Sequence, residues 1–317
     1  MPSNAGIARS LAVLAALLLA GCHGGGGGGN DLPPGPNATV SGTVTFDLVP
    51  VTSAGGVPRL DYANTRSAPA RGVVIQIISG STLVASTTTS DSGTYSISVP
   101  SNQNIYVRAR AEINRAGSPA WRVGVTDNTQ GDGLYVLDSS TFLLDANGAT
   151  RDLHAASGWG GSSYTGARDA APFAILDTVY EAMQFVLATK PGLNFPTLQI
   201  HWSGRNTTSI GTSGPVASTG QIGWSQFDVG TGMYLLGAEN TDTDEYDRNV
   251  ITQLWGQYLL ASFGRDDGAS APHAPGDQLD LRVAFREGFG NAIAAIVAGD
   301  SVFRRSEDHT FELQSHL

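Results

Sequence analysis

The first half of the chain alternates. From 94 to 99, Tyr95, Ile97 and Val99 share one face of an extended segment and Ser96 and Ser98 the other, which predicts a half-buried antiparallel strand after the turn Asp91-Ser92-Gly93. Runs of the same kind at 40–46, 73–78, 83–88, 93–99 and 105–109, separated by turn residues, have the spacing of a β-sandwich. Further strand-like runs lie at 121–126, 134–137 and 141–144. The period then changes. Phe173, Leu176, Tyr180, Met183 and Leu187 recur at steps of three and four, with Asp169 as an N-cap and Pro172 in the first turn, and predict a helix with one core-facing stripe. Leu198, Ile200 and Trp202 alternate as a strand, and 233–236 is another apolar run. An amphipathic helix is predicted over 244–260, with an acidic start and a stop at Gly264, and a last helix over 282–296.

This order predicts a multidomain chain: an all-β sandwich over 38–149, then an α+β domain over 150–304. The length of 317 residues allows each to bury its own core, and fragment 38–145 is expected to fold alone. Residues 1–21 read as a signal peptide, with Arg9 ahead of an apolar run too short to span a bilayer. Residues 22–37, rich in Gly and Pro, read as a tether with an end-to-end distance of roughly 20 Å. The junction Leu19-Ala20-Gly21-Cys22 resembles the lipobox of bacterial lipoproteins. That resemblance implies cleavage before Cys22, acylation of its thiol, and anchorage to the lipid bilayer of a bacterial cell envelope, at the outer membrane or cell surface. The alternative is an ordinary cleaved signal with an incidental cysteine. Cys22 is the single cysteine, so no disulfide framework is possible. A net charge of −10 argues against nucleic acid or an anionic membrane surface as partner. The tail 305–317 resembles the conceptual translation of a sequencing-library adapter. That resemblance implies non-native sequence, and the domain is then expected to continue past Arg304.

Two resemblances carry the functional expectation. The segments 41–45, 72–77, 89–97 and 105–109 together resemble the carboxypeptidase regulatory-like, or prealbumin-like, sandwich, which implies a non-catalytic accessory module. The helix 244–260 followed by 282–296 resembles the gluzincin branch of zinc metallopeptidases, in which H-E-x-x-H supplies two zinc ligands and a general base. Here those positions hold Gln253, Leu254 and Gln257, while Trp255, Gly256 and Tyr258 keep the family's frame. The resemblance makes Glu287, thirty residues beyond Gln257, the retained third ligand and Asn291 its second-shell partner. Glutamine offers a neutral amide oxygen and leucine accepts no proton, so the cofactor expectation is none as written, although the family uses zinc. The expectation is a catalytically inactive, metallopeptidase-like lipoprotein with a possible peptide or protein ligand. Two alternatives stay open: an active zinc metallopeptidase whose sequence is corrupted or truncated here, and a non-enzymatic surface binding module.

The remaining candidates have plainer readings. His154, His201 and His273 are unpaired in sequence and read as surface or packed histidines. Glu239, Asp242, Asp244, Glu245 and Asp247 suggest either calcium or, as the favoured reading, a solvated loop at a helix N-terminus. Tyr95, Tyr106 and Trp121 suggest sugar stacking or, with Tyr95 in the apolar set, core packing.

Overall fold

The organising strand is Asn37–Leu48 (β1), whose two halves serve different neighbours. In this computed structural model, residues 35–53, 58–239, 241–266 and 277–300 are described. The signal peptide, Cys22, most of the tether, His273 and the tail 305–317 lie outside the described residues. After β1 come Val51–Thr52 (β2), Arg59–Leu60 (β3), Arg66–Pro69 (β4), Val73–Ser79 (β5), Thr82–Thr88 (β6), Thr94–Pro100 (β7), Gln103–Arg115 (β8) and Trp121–Asp127 (β9). Gly133–Leu134 (β10), Val136–Asp138 (β11), Phe142–Leu144 (β12), Ala149–Thr150 (β13) and Leu153–Ala155 (β14) follow. The helix Ala170–Thr189 (α1), strands Leu198–Trp202 (β15), Gln226–Asp228 (β16) and Gly232–Leu235 (β17), and helices Arg248–Phe263 (α2) and Leu281–Ala298 (α3) complete the order.

The fold is mixed α/β, with several sheets, one of them large and mixed, and three α-helices among the described residues, all after residue 169. The first half of β1 pairs antiparallel with β7, and its second half pairs antiparallel with β4 and parallel with β14. The large sheet runs in the order β16-β17-β15-β9-β8-β5-β6. Beside its central strand β9, β8 carries Ile105, Val107, Ala109, Ala111 and Ile113 on one buried face, as an alternating strand must. On α1 the predicted stripe is buried at Phe173, Leu176, Met183 and Leu187. Tyr180 stays half-exposed because its hydroxyl donates to Asp91 Oδ1 at 2.7 Å. Asp169 precedes α1, but its side chain makes no cap hydrogen bond. Tyr95 and Trp121 are buried, the packing reading. No helix among the described residues is long and apolar enough to cross a membrane.

The division drawn at 149/150 is crossed by both sheet and core. β9 pairs parallel with β15, from Leu198↔Val123 to His201↔Thr126, and the long connection that a parallel pair requires contains α1. Phe173, Leu176, Val179 and Met183 of α1 belong to the same hydrophobic cluster as Phe46, Ile75, Val107 and Val123. Cutting near 145 would therefore expose the α1-facing side of β8 and β9 and strip β9 of β15, leaving it β8 and β10. The expectation of an independent sandwich is revised accordingly: fragment 38–145 expressed alone should melt broadly, and the chain through Asp300 cooperatively. A sharp two-state transition of the fragment, followed by circular dichroism and Trp121 fluorescence, would restore the sequence-drawn boundary.

Candidate functional site

The crossing of α2 and α3 brings together Gln253, Gln257 and Glu287, the three residues that the resemblance sets at ligand positions. Gln253 and Gln257, one turn apart on α2, both turn their amides toward Glu287 on α3. Gln253 Nε2 donates to Glu287 Oε2 at 3.1 Å. Gln257 Nε2 donates to Oε1 at 3.2 Å and to Oε2 at 3.1 Å. Both glutamines are buried and Glu287 is half-buried.

Two glycines permit this approach. A Cβ on Gly256 would stand 3.0 Å from Gly290 Cα, and one on Gly290 would stand 2.7 Å from the Gln253 carbonyl oxygen. Backbone meets backbone there, so neither helix can yield by turning a side chain. Gly290→Ala should cost about 1–3 kcal/mol, the usual penalty of overpacking a filled site. A thermal shift within error of the wild type would show that the helices slide apart freely.

The rest of α2 is anchored by its apolar face. Trp255 is fully buried with its ring centroid 6.1 Å from that of Phe195. Tyr258 donates to the Pro196 carbonyl at 2.6 Å. Leu254, which the resemblance sets at the position of the general base, is 4 % exposed and lies in the main hydrophobic cluster. On α3, buried Arg286 donates to the Phe227 carbonyl at 2.8 Å and ties the helix to β16. Asn291 makes no hydrogen bond with Gln253, Gln257 or Glu287 among the described residues, and its Oδ1 is buried without a partner there.

Zinc does not fit these residues. The donor set is one carboxylate and two neutral amides, whose N–H₂ groups are spent on that carboxylate. Among the described residues, no group of three or more His, Cys, Asp or Glu side chains is placed to hold a metal ion. Chemically, the arrangement can hold α2 to α3 and hydrogen-bond amides.

The acidic segment ahead of α2 departs from expectation. Asp244 and Glu245 are wholly buried, and Asp242 and Asp247 nearly so, so the favoured reading of a solvated loop is wrong. For Glu245 the countercharge lies outside the pattern: Arg168, at the end of the Gly- and Ser-rich loop, ion-pairs with it and donates to the Gly237 carbonyl. Burial pulls the Arg168 guanidinium down, but Glu245 and Tyr164 outweigh it and the net shift is upward. Tyr164 donates to Glu245 Oε1 at 3.2 Å, and burial together with the Glu245 charge raises its phenol far above the usual range. Ser225 donates to Asp244 Oδ2. Tyr62 and Trp159 stack at 3.8 Å between centroids and close the cluster from the loop side. Glu239 accepts from the Tyr164 backbone N–H at 3.0 Å.

The histidines separate. His201 is buried at the end of β15, with Nδ1 2.8 Å from Asp132 Oδ1 and Nε2 3.0 Å from the Thr231 carbonyl. His154 stands exposed on β14 against Thr45 and Asp47 of β1. No family model matches the chain, and no curated protein matches it.

Proposed function

We propose that this chain is a cell-envelope lipoprotein, acylated at Cys22, whose C-terminal part is metallopeptidase-like and catalytically silent. In this reading the strands of 38–149 are of the carboxypeptidase regulatory-like kind and α1, α2 and α3 keep a gluzincin-like frame, with one hydrophobic core running through both. The observation that carries the reading is the convergence of Gln253 and Gln257 on Glu287, within hydrogen-bonding distance, at the three positions where the resemblance expects metal ligands. Two side chains of α2 and one of α3 meet as a ligand set would, but with chemistry that ties the helices together instead of binding zinc.

Such a protein would hold peptide or protein ligands without cutting them. Leu254 supports silence over a concealed activity, since its side chain packs into the core where a general base would have to face substrate. The test is zinc content and peptide hydrolysis of the wild-type chain. Sub-stoichiometric zinc after dialysis and no cleavage of an unstructured peptide are expected. Near-unit zinc with cleavage would establish the reading as an active metallopeptidase instead. Mass spectrometry of the protein from its host should find Cys22 as a lipidated N-terminus, and an unmodified Cys22 would remove the anchor.

A further inference from the structure

We infer that Thr45, His154 and Asp47 form a nucleophile–base–carboxylate relay on the outer surface of the β1/β14 pair, able to take an acyl group from an activated ester. The parallel register places Thr45 opposite His154. Val44 and Phe46 are wholly buried, so the strand's alternation turns Thr45 and Asp47 to the opposite, outer side. Thr45 Oγ1 lies 2.9 Å from His154 Nδ1. His154 Nε2 lies 3.1 Å from Asp47 Oδ1. The other oxygen of Asp47 accepts from the Ser157 backbone N–H at 2.8 Å, which fixes the carboxylate plane.

Those partners decide the tautomer. An ionised carboxylate only accepts, so the neutral ring carries its proton on Nε2 and offers the Nδ1 lone pair to the Thr45 hydroxyl. That is the order of roles in which a hydroxyl is activated by an imidazole held by a carboxylate. The imidazole is reachable, with 46 % of its side chain exposed.

The chemistry follows from the parts present. Thr45 Oγ attacks the ester carbonyl and forms the C–O bond as its proton passes to His154 Nδ1. The aryloxide leaves and takes up a proton from the imidazolium. Water, deprotonated by the same Nδ1, then attacks the acyl-Thr45 carbonyl and releases the carboxylic acid and the free hydroxyl. The net change is ester plus water to acid plus phenol. A base and its orienting carboxylate serve best when the leaving group departs with little help, so the substrate class is aryl esters of short carboxylic acids.

The full chain is incubated with p-nitrophenyl acetate, and acetylation of Thr45 is read by peptide mass mapping. Lys190, the single lysine of the sequence, serves as internal reference. Acetyl-Thr45 is expected in the wild type. Its rate should fall roughly 100-fold or more in His154→Ala, the usual span for losing a positioned base. Asp47→Asn should also slow it strongly by releasing the tautomer, Thr45→Ser should keep it, and Lys190 labelling should be constant throughout. His154 is exposed and Thr45 and Asp47 are half-buried, and an unchanged melting temperature certifies each fold. Absence in the wild type of both acetyl-Thr45 and p-nitrophenol release that depends on His154, or an equal rate in His154→Ala, overturns the relay.

Discussion

Arg168→Met should cost about 3–5 kcal/mol of folding stability, the range for removing one partner of a buried ion pair. Glu245 is wholly buried and the Arg168 side chain only 10 % exposed, so neither charge is well screened by water in the native state. In the variant the Tyr164 hydroxyl still donates to Glu245, but a neutral phenol cannot balance a full negative charge. The loss should spread to the loop, because Arg168 also holds the Gly237 carbonyl and lies over the Tyr164 ring at 3.9 Å. Urea unfolding gives the free energy. Adding Glu245→Gln to Arg168→Met should recover part of it, since an amide needs no countercharge, and the double-mutant cycle then isolates the pair. A single-variant loss below about 1 kcal/mol would place this interaction with exposed surface pairs and refute its role as the countercharge.

How far the sequence discloses this arrangement depends on the range of the interaction. Strands such as β5 to β8, and helices α1 and α3, announce themselves because burial of one face is written locally at period two or 3.6. The convergence of Gln253, Gln257 and Glu287 was also legible, through the resemblance and the shared helical face. The buried acids were not. Asp242 to Asp247 read as polar in any window, and Arg168 sits in a stretch with no periodicity, so the pair exists only after folding joins them. The continuity of sheet and core across 149/150 was hidden for the same reason. β15 is a clear strand in isolation, yet nothing in its five residues says that it joins β9 rather than a sheet of its own. β14 is three residues long, too short for alternation, and with it the placement of His154 against β1 was hidden.

Gln253→His with Gln257→His should create a zinc site without creating a peptidase. Imidazoles at those positions stand one turn apart on one face of α2, directed at the same carboxylate the amides now reach at 3.1–3.2 Å. His-His-Glu is a competent set of protein ligands for zinc. Isothermal titration should give near-unit stoichiometry and raise the melting temperature, since metal that binds only the folded state stabilises it by mass action. Turnover should stay absent, because Leu254 remains and no base faces the bound water. Adding Leu254→Glu is the demanding step. That side chain is 4 % exposed within the hydrophobic cluster, and a carboxylate placed there must be desolvated or must drag α2 outward, at a cost of several kcal/mol. The triple variant is therefore expected to be markedly less stable than the double one, with zinc offsetting only part of the loss. A double variant that folds and binds no zinc would remove Glu287 as a ligand position. A triple variant as stable as the double one, and hydrolytic, would show that position 254 turns to the cleft and that a single substitution there separates this chain from an active enzyme.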